Sequence, residues 1–508
     1  MSETLAPIKF GTDGWRAIIA REFTFANVER VAQAYADYLA TTKHEPLLNQ
    51  LVAVGQVSRD EAESSMFREV AAKASSDVPA LVVVGYDRRF LSEQFALRAA
   101  EVMVGNGFRV ALFPEAAPTP LISWAVKELK ANGGIVLTAS HNPPDFNGFK
   151  IKAPWGGSAP PETTGAVETL VDKSTVKRGS FLSGGRELLE SVTRSYREQL
   201  GSYIDLDRLK KTDRTIVVDP MHGSGGQWIE SLLSGGRLKV ETIRGERDPL
   251  FGGINPEPID SNLGPLKSRV IAANALVGLA TDGDADRVGA VNELGQTMTM
   301  HDVVPLILLH LARNRKMTGG VVRTFSQSVL LERIAAAHNL KIYETAIGFK
   351  YIADLMLKED ILLGAEESGG IGVKGHIPER DGLLNSLLFL EAIITAGKPP
   401  SEMLRDVHRE FGEFHFGRRD LHIAVDQGMK LVQEVSSQPP SNFAGFSVKD
   451  VQTTDGVKLI FPNESWLLFR QSGTEPVLRT YAEATTIDQV NLLLEEAEKI
   501  SNRPATLI

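Results

Sequence analysis

The sequence predicts an α/β protein built from several domains, and two observations support this fold class. Short runs rich in β-branched residues lead into glycine-bearing turns, which is typical of parallel strands covered on both faces. Segments with apolar residues at i, i+3 and i+4 lie between these runs and predict helices packed on the sheets. The predicted strands include Leu81–Tyr86, Gly134–Thr138, Thr215–Asp219 and Leu276–Thr281. The predicted helices include Asn27–Leu39 and Phe95–Asn106.

The domain organisation follows from the length and from where the pattern restarts. A chain of 508 residues suggests about three or four domains. The segments Val83–Asp87, Val217–Met221 and Gly320–Thr324 each resemble the first strand of a new α/β unit. The C-terminal part has shorter strands and one helix, which predicts an α+β domain; these are Lys458–Phe461, Trp466–Arg470, Val477–Ala482 and Ile487–Ile500.

We therefore predict three related α/β domains with mixed sheets and a fourth domain of α+β type. The predicted boundaries are 1–187 for domain I, 188–298 for domain II, 299–410 for domain III and 411–508 for domain IV. Residues 43–78 are polar and carry one amphipathic stretch, Arg59–Lys73, so we interpret them as a surface insertion in domain I.

Composition excludes several classes of function. Apolar residues make up 43% of the chain and charged residues 23%, close to the globular average. The net charge of −9 argues against a nucleic-acid-binding surface over the whole chain. There are no cysteines, which excludes disulfides and zinc–thiolate sites. No signal peptide is evident, and the most apolar stretch, Val303–Ala312, is too short for a membrane span. We expect a cytoplasmic protein with no nucleic-acid or membrane partner.

The first candidate site is the motif TASHNP at Thr138–Pro143, directly after a predicted strand. A serine at a strand end, in a loop with Asn-Pro, is expected to be exposed and rigid, which suits a nucleophile. An ordinary serine in an Asx-Pro turn is the alternative. The chain has no G-x-S-x-G elbow, so a serine hydrolase is disfavoured.

The second candidate site is DGDADR at Asp282–Arg287, after the predicted strand LVGLAT. Carboxylates at i, i+2 and i+4 can converge on one hard cation, and without a cation they would repel one another. A calcium EF-hand is disfavoured because its loop needs glycine where this chain has Arg287, and because the flanking segments are strand-like. Magnesium is the favoured ion, and an acidic turn without metal is the alternative.

The third candidate site is GAEESGG at Gly364–Gly370. Two carboxylates and a hydroxyl beside glycines can bind vicinal sugar hydroxyls, although a plain polar loop has the same composition. The overlapping GIGVKG matches a dinucleotide fingerprint only formally, because it does not follow a predicted strand.

Two further motifs carry arginine beside glycine and hydroxyl residues. In RQSGTEP, Arg470–Pro476, a forked cation, hydroxyls and approachable backbone N–H groups suit a phosphate, and a capped turn is equally compatible. In FGTDGWRA, Phe10–Ala17, Arg16 lies beside a flexible turn and could equally be solvated. The chain has no G-x-x-x-x-G-K-[ST] motif, which argues against ATP as a phosphate source bound by a P-loop.

Together and in this order, the five motifs resemble the α-D-phosphohexomutase superfamily, which includes phosphoglucomutases, phosphomannomutases and phosphoglucosamine mutases. The resemblance extends from Lys9 to about Ala484 and is closest to a bacterial-type phosphoglucomutase. It implies four domains around a central cleft. It also implies one Mg²⁺ per chain, a hexose phosphate substrate and glucose 1,6-bisphosphate as activator.

The resemblance implies specific roles for residues. Ser140 would carry the phosphate and His141 would support it. Lys150, with a lowered pKa, would act in acid–base chemistry near Arg16. The metal would be held by Asp282, Asp284, Asp286 and a phosphate oxygen on Ser140. The substrate would be bound by Glu366 and Ser368 at sugar O3 and O4, Arg287 and the loop Gly348–Lys350 on the sugar side, Arg380 at a phosphate, and Arg470, Ser472, Gly473 and Thr474 at the phosphate that is not reacting.

The implied reaction interconverts glucose 1-phosphate and glucose 6-phosphate through a bisphosphate that turns end over end. The motif E-E-S resembles that of glucose-directed members, and Gly370 replaces a histidine of mannose- and glucosamine-directed ones. A phosphomannomutase or dual-specificity mutase, a glucose 1,6-bisphosphate synthase and a non-catalytic sugar-phosphate sensor remain as alternatives. The chain could be a monomer or a homodimer. The scheme requires the Ser140 loop and the Asp282–Asp286 loop to meet.

Overall fold

The structure is a computed structural model that describes residues 7–11, 13–41, 79–181, 185–472 and 476–501. The predicted insertion at 43–78, including its helix Arg59–Lys73, lies outside the described residues. The chain divides into two compact units, here called unit 1 and unit 2. Unit 1 comprises 1–297, 353–359 and 369–394, and unit 2 comprises 298–352, 360–368 and 395–508.

The first sheet of unit 1 is mixed and has five strands. In spatial order they are Trp15–Ile18, Phe146–Lys152, Gly133–Leu137, Leu81–Tyr86 and Arg109–Leu112. Leu81–Tyr86 is parallel to both of its neighbours, whereas Phe146–Lys152 is antiparallel to both of its own. All five residues of Gly133–Leu137 are buried, as its uninterrupted apolar run predicts.

The second sheet of unit 1 repeats this arrangement. Its strands are Val288–Asn292, Val277–Thr281, Thr215–Asp219 and Lys239–Thr242 in spatial order, with the two-residue strand Thr297–Met298 beside Val288–Asn292. Thr215–Asp219 is parallel to both neighbours, and Val288–Asn292 is antiparallel to Val277–Thr281. The mixed sheets predicted from the sequence are confirmed.

Unit 2 contains the third and fourth sheets. Gly320–Thr324 lies between Ile342–Thr345 and Ile361–Ala365 and is parallel to both. The fourth sheet is antiparallel, with strands His415–His422, Val477–Ala484, Trp466–Gln471, Val457–Ile460 and Asp450–Gln452 in spatial order. Asn442–Phe443 and Phe446–Ser447 form a small separate hairpin. The strand Ile371–Val373 follows the GAEESGG loop in the chain and belongs to unit 1.

The helices begin where the sequence supplies starting signals. Pro120 lies in the first turn of Thr119–Glu128, where its missing N–H costs nothing. Thr299 and Asp302 form a capping box at the start of Met300–Leu309. The other described α-helices are Phe25–Thr41, Ser92–Gly105, Pro161–Leu170, Arg186–Tyr203, Leu206–Lys211, Trp228–Leu233, Gly264–Ala272, Val329–Ala337, Phe349–Lys358, Gly382–Ala396, Pro400–Phe411, Val425–Ser437 and Ile487–Ser501.

One expectation about unit 2 differs from the structure. The predicted loop Gly348–Lys350 is a loop only at Gly348, because the helix Phe349–Lys358 already includes Phe349 and Lys350. This part of the prediction was wrong.

No helix among the described residues combines the length and the hydropathy that a membrane span needs.

Candidate active site

Two hairpins in unit 1 carry the reactive side chains. The serine hairpin consists of Gly133–Leu137, residues 138–145 and Phe146–Lys152, and the aspartate hairpin consists of Val277–Thr281, residues 282–287 and Val288–Asn292. In both sheets the first hairpin strand is the middle one of five and is parallel to the neighbour outside the hairpin, Leu81–Tyr86 or Thr215–Asp219. The hairpins therefore occupy the same position in two similar sheets.

The two hairpin loops meet at Ser140. The Ser140 hydroxyl donates a hydrogen bond to Asp282 Oδ2 at 2.7 Å. A Cβ at Gly283 would collide with the carbonyl oxygen of Ser140, so the close approach of the loops requires glycine there. Ser140 is 1% exposed, and the expectation of an exposed serine was wrong because the aspartate loop packs over it.

Ser140 has a left-handed backbone conformation, with φ at 53°. For a residue with a side chain this costs about 1–2 kcal/mol, so surrounding contacts must hold it. The Ser140 N–H donates to Thr138 Oγ1 at 2.9 Å. The Arg89 guanidinium donates to the Ser140 carbonyl at 2.6 Å. The serine is thus fixed through both its N–H and its carbonyl.

The three aspartates of the second loop are buried and converge. Asp282, Asp284 and Asp286 each offer one oxygen, and these oxygens lie within 4.8 Å of one another. Asp282 Oδ1 accepts hydrogen bonds from the N–H groups of Asp286 and Arg287, which shapes the turn. Asp284 Oδ1 and Asp286 Oδ1 are buried without a hydrogen-bond partner among the described residues. Buried unpaired carboxylate oxygens are costly, and a divalent cation would satisfy them.

The electrostatic interactions of the three aspartates also favour a bound cation. Burial, followed by repulsion from Asp284 and Asp286, raises the pKa of Asp282 well above its usual range. Burial also raises the pKa of Asp284, but Lys150 outweighs this and holds that pKa below the ordinary value. The donor set, three carboxylates beside a hydroxyl, is the oxygen-rich chemistry that suits Mg²⁺.

Lys150 is 1% exposed and is surrounded by carboxylates. Its Nζ lies 2.9 Å from Asp13 Oδ2, 2.9 Å from Asp284 Oδ2 and 3.3 Å from Asp286 Oδ2. Burial lowers the pKa of Lys150, but these carboxylates raise it above the ordinary value overall. The expectation of a lowered pKa was therefore wrong, because the sequence did not reveal that three carboxylates converge on this ammonium group.

Arg380 reaches the same cluster from the segment HIPERDG. Its guanidinium lies 2.8 Å from Asp286 Oδ2 and 2.6 Å from Asp13 Oδ2. Burial raises the pKa of Asp13, but Lys150 and Arg380 hold it well below its usual range. Next to Arg380, Glu379 forms a buried ion pair with Lys152 at 2.7 Å. The segment is thereby bound to the serine hairpin and to the aspartate loop.

The remaining predicted residues of unit 1 surround Ser140. Arg16 lies on the strand Trp15–Ile18 and donates to Asn142 Oδ1 at 2.6 Å. His141 Nδ1 is 3.4 Å from Ser140 Oγ. Burial, and then the nearby cations Arg287 and Arg16, lower the pKa of His141 well below its usual value. The Arg287 guanidinium lies 3.7 Å from Glu257.

The predicted sugar-binding and phosphate-binding residues fall in unit 2. Glu366 is buried and follows the strand Ile361–Ala365, and Ser368 is partly buried two positions later. Between them, Glu367 accepts a hydrogen bond from Ser326 Oγ at 2.7 Å. The loop is therefore joined to the segment after Gly320–Thr324.

Arg470 is the last but one residue of the strand Trp466–Gln471, and Ser472 follows it. Arg470 Nε lies 3.0 Å from Asp455 Oδ2, and the same oxygen accepts from the Ile347 N–H at 2.9 Å. Asp455 thus links Arg470 to the residue before Gly348. Lys350 lies over the Tyr351 ring at 5.0 Å. Gly473 and Thr474 lie outside the described residues.

Several residues of unit 1 were missed by sequence reasoning. Thr119 donates to Asp284 Oδ2 at 2.8 Å, and no motif in the sequence marks it. Asp13 lies inside FGTDGWRA, and Glu379 precedes Arg380, so a search for carboxylates beside the predicted cations would have found both. Asp87 and Arg89 directly follow the predicted strand Leu81–Tyr86, and the end of a parallel strand is a known place for functional residues.

Comparison with protein families identifies the class of protein. Models of all four domains of one family match the chain. The matches are Phosphoglucomutase/phosphomannomutase alpha/beta/alpha domain I at residues 7–78 and 55–178, domain II at 194–295, domain III at 301–411 and the C-terminal domain at 426–500. The predicted four-domain architecture is confirmed, and the boundaries chosen from the sequence stay a prediction.

Individual relatives agree with the family. A phosphoglucomutase/phosphomannomutase from Thermococcus kodakarensis is 31% identical over 83% of this chain and 89% of its own length. A phosphoglucosamine/phosphogalactosamine mutase from Sulfurisphaera tokodaii is 28% identical over 97% of this chain and 98% of its own. A crystal structure from Thermus thermophilus, of a protein provisionally called a phosphomannomutase, has a TM-score of 0.80 at 36% identity, covering 98% and 100% of the two chains.

The chain belongs to the phosphoglucomutase/phosphomannomutase family of the α-D-phosphohexomutase superfamily. The enzyme class predicted from the sequence, an isomerase that transfers a phosphoryl group within a sugar phosphate, is confirmed. The names of the relatives include glucose, mannose, glucosamine and galactosamine phosphates, so they define a hexose phosphate class and no single sugar.

Proposed function

We propose that this enzyme interconverts glucose 1-phosphate and glucose 6-phosphate, with Ser140 as a phosphoserine and glucose 1,6-bisphosphate as the intermediate. The observation that carries the proposal is the 2.7 Å contact between Ser140 Oγ and Asp282. It puts a fixed hydroxyl beside three buried carboxylates, two of which have an oxygen without a hydrogen-bond partner among the described residues. A phosphoryl carrier next to a cation site is what phosphoryl transfer requires.

The residues that would hold Mg²⁺ are Asp282, Asp284 and Asp286, with a phosphate oxygen on Ser140. When bound, the ion supplies positive charge that stabilises the transferring phosphoryl group. The chain itself supplies further charge. Lys150 lies within 3.3 Å of two of the aspartates, and its raised pKa keeps it an ammonium cation.

The proposed transfer balances as a simple displacement. The bond between phosphorus and Ser140 Oγ breaks and a bond between phosphorus and a sugar hydroxyl oxygen forms. The sugar hydroxyl loses a proton and Ser140 Oγ gains one, so that the serine hydroxyl is restored. The bisphosphate then turns and returns its other phosphoryl group to Ser140. Arg16 lies beside the serine loop, where it would orient the incoming phosphate, and Arg287, at the end of the aspartate loop, would line the sugar side. Arg380 would contact phosphate from the aspartate side.

We assign sugar and distal phosphate binding to residues of unit 2. Glu366 and Ser368 would bind sugar hydroxyls, with Gly348 and Lys350 beside them. The distal phosphate would be bound by Arg470, Ser472, Gly473 and Thr474. The preference for glucose is supported by the second carboxylate of the E-E-S motif and by Gly370. A mannose or hexosamine phosphate is the second candidate, because relatives carry those names.

Paired substrate assays test the proposal. Glucose 1-phosphate, mannose 1-phosphate and glucosamine 1-phosphate are each offered with Mg²⁺, with and without the matching 1,6-bisphosphate, and the 6-phosphate product is measured. We expect the highest kcat/KM for glucose 1-phosphate. A higher value for either competitor would contradict the assignment of the sugar while leaving the mutase chemistry in place.

The same assays separate the other candidates. A sensor would bind sugar phosphate without turnover, and a bisphosphate synthase would accumulate free glucose 1,6-bisphosphate. The activating effect of added bisphosphate, the cytoplasmic location and the monomeric or homodimeric state stay predictions.

A further inference from the structure

Arg89 lies beneath the serine loop and has no role in the scheme above. It follows the strand Leu81–Tyr86, whose neighbour Gly133–Leu137 leads into the serine loop. Because the two strands are parallel, their carboxyl ends lie at the same edge of the sheet. Arg89 is 0% exposed, and a charged side chain is rarely buried so completely without a specific set of partners.

The Arg89 guanidinium donates to four backbone carbonyls, three in the serine loop and one at the start of the strand that follows it. Its Nη2 donates to the oxygens of Ser140 at 2.6 Å and Asn142 at 2.7 Å. Its Nη1 donates to the oxygens of Pro143 at 2.7 Å and Phe146 at 3.1 Å. One rigid guanidinium fork thus fixes the course of the loop from the serine to the start of the return strand.

Asp87 completes this support. It lies 3.2 Å from Arg89 Nε, which balances the buried charge. Its Oδ2 accepts from Thr138 Oγ1 at 2.6 Å, and Thr138 Oγ1 accepts from the Ser140 N–H at 2.9 Å. Asp87 Oδ1 accepts from the Arg89 N–H at 2.9 Å and Ser92 Oγ at 2.8 Å. The N–H and the carbonyl of Ser140 are therefore both connected to one ion pair.

The conformation that this ion pair holds is an unfavourable one. Ser140 has φ at 53°, and a serine released from its contacts would return to a negative φ. That change rotates the Cα–Cβ bond and carries Oγ away from Asp282. The position of the Ser140 hydroxyl at the aspartate loop thus depends on contacts behind the serine backbone.

We infer that Arg89 is a positioning residue for phosphoryl transfer, which holds the strained backbone of Ser140 so that its hydroxyl faces the aspartate loop. The inference rests on the proposed function of Ser140. In the described part of the chain, the hydrogen bonds that the Arg89 guanidinium donates all go to carbonyls between Ser140 and Phe146. Its loss should slow transfer to and from Ser140 and leave substrate affinity nearly unchanged.

The second sheet offers a matched control. Asp219 is the last residue of the strand Thr215–Asp219, and Asp87 directly follows the equivalent strand of the first sheet. The Arg244 guanidinium pairs with Asp219 through hydrogen bonds of 2.9 and 2.5 Å. Arg244 also donates to the Asn262 carbonyl at 3.3 Å. Among the described residues, the Arg244 side chain donates only to Asp219 and Asn262 and makes no direct hydrogen bond to the aspartate loop. Breaking the pair tests what the loss of a partly buried ion pair outside the serine loop does.

The experiment compares Arg89→Lys, Arg89→Met and Arg244→Met with the wild type. Each protein is freed of phosphate and mixed with glucose 1,6-bisphosphate and Mg²⁺, and the gain of one phosphoryl group is followed by quenched intact-mass measurement. We expect about a 10²-fold slower gain in Arg89→Met and about 10-fold in Arg89→Lys, which has fewer donors, with KM within about threefold of wild type. Arg244→Met should lower the melting temperature and keep the wild-type rate.

Two results would overturn the inference: a wild-type rate in Arg89→Lys, or an equal slowing in Arg244→Met. If Arg89→Met does not fold, Arg89→Lys decides, because it keeps the charge opposite Asp87. Wild-type protein that gains no phosphoryl group would refute the proposed function instead. In that case the crystal structure of Arg89→Lys still tests the inference. We expect Ser140 to leave the left-handed region in this variant, and an unchanged φ at Ser140 would contradict the inference.

Discussion

The serine hairpin and the aspartate hairpin occupy the same place in two similar sheets but are built for opposite tasks. In each hairpin the first strand is parallel to its neighbour outside the hairpin, and the second strand returns antiparallel to the first. The serine loop has a single reactive hydroxyl and is held by the buried Arg89. The aspartate loop has three carboxylates, two of which keep a buried oxygen without a hydrogen-bond partner in the described part of the chain.

The difference shows how one topology supplies both partners of a phosphoryl transfer. Both loops contain one residue other than glycine with a left-handed backbone, Ser140 with φ at 53° and Ala285 with φ at 60°. In the serine loop the strained residue is itself the reactive one. In the aspartate loop the strained residue separates Asp284 from Asp286, so the turn brings the carboxylates together.

The largest expected effect is on the serine side. Ser140→Ala removes the phosphoryl carrier and should lower kcat by about 10⁴-fold or more, because no other described side chain takes its place beside Asp282. Binding of glucose 6-phosphate, measured by titration calorimetry, should persist. Ser501→Ala changes a buried serine at the end of the helix Ile487–Ser501 and is the control, which should retain activity. Full turnover in Ser140→Ala would contradict the assignment of the two hairpins.

The second effect is on the aspartate side. Asp284→Asn should lower kcat by about 10³-fold, since one charged oxygen for the cation is lost. Independently of activity, Mg²⁺ should raise the melting temperature of the wild type and have much less effect on this variant. Asp260→Asn changes an exposed aspartate of the same domain and should behave as wild type. An equal Mg²⁺ effect in Asp284→Asn would place the ion elsewhere.

A third test uses a substitution that pushes the two hairpin loops apart. At Gly283 an added methyl group would meet the Ser140 carbonyl and the Pro256 ring, so Gly283→Ala should push the loops apart. We expect kcat to fall by about 10²-fold while the protein stays folded. Gly264→Ala is the control, because a Cβ there has no neighbour within 4 Å. Wild-type kcat in Gly283→Ala would show that the close contact of the loops is dispensable.

The smallest effects concern the threonine that supports each loop. Thr138 makes two hydrogen bonds, to Asp87 and from the Ser140 N–H, whereas Thr119 makes one side-chain bond, to Asp284. Thr138→Val should lower the free energy of unfolding by about 2 kcal/mol and Thr119→Val by about 1 kcal/mol. Chemical denaturation measures both. A larger loss in Thr119→Val would reverse our ranking of how firmly the two loops are held.

Much of the fold and the composition of the site could be predicted from the sequence. Buried strands such as Leu81–Tyr86 and Thr215–Asp219 are continuous apolar runs, and their observed bounds equal the predicted ones. The serine and the three aspartates follow such strands in short polar motifs. Local pattern was enough because the end of a strand and the polar residues of the loop after it are adjacent in the sequence.

What could not be predicted depends on contacts between distant segments. The burial of Ser140 results from a loop more than a hundred residues away in sequence. The raised pKa of Lys150 depends on Asp13 and on the aspartate loop, and no local pattern brings these together. Arg89 was overlooked for the same reason, since its four acceptors are backbone carbonyls that any sequence would provide.

The central claim is that Ser140 carries the phosphoryl group, and peptide mapping tests it most directly. Wild-type protein and Ser140→Ala are incubated with glucose 1,6-bisphosphate and Mg²⁺, digested and examined by tandem mass spectrometry. We predict one phosphorylated residue in the wild type, Ser140, and none in the variant. A phosphoryl group on another residue, or steady turnover of glucose 1-phosphate by protein never phosphorylated at Ser140, would contradict the account.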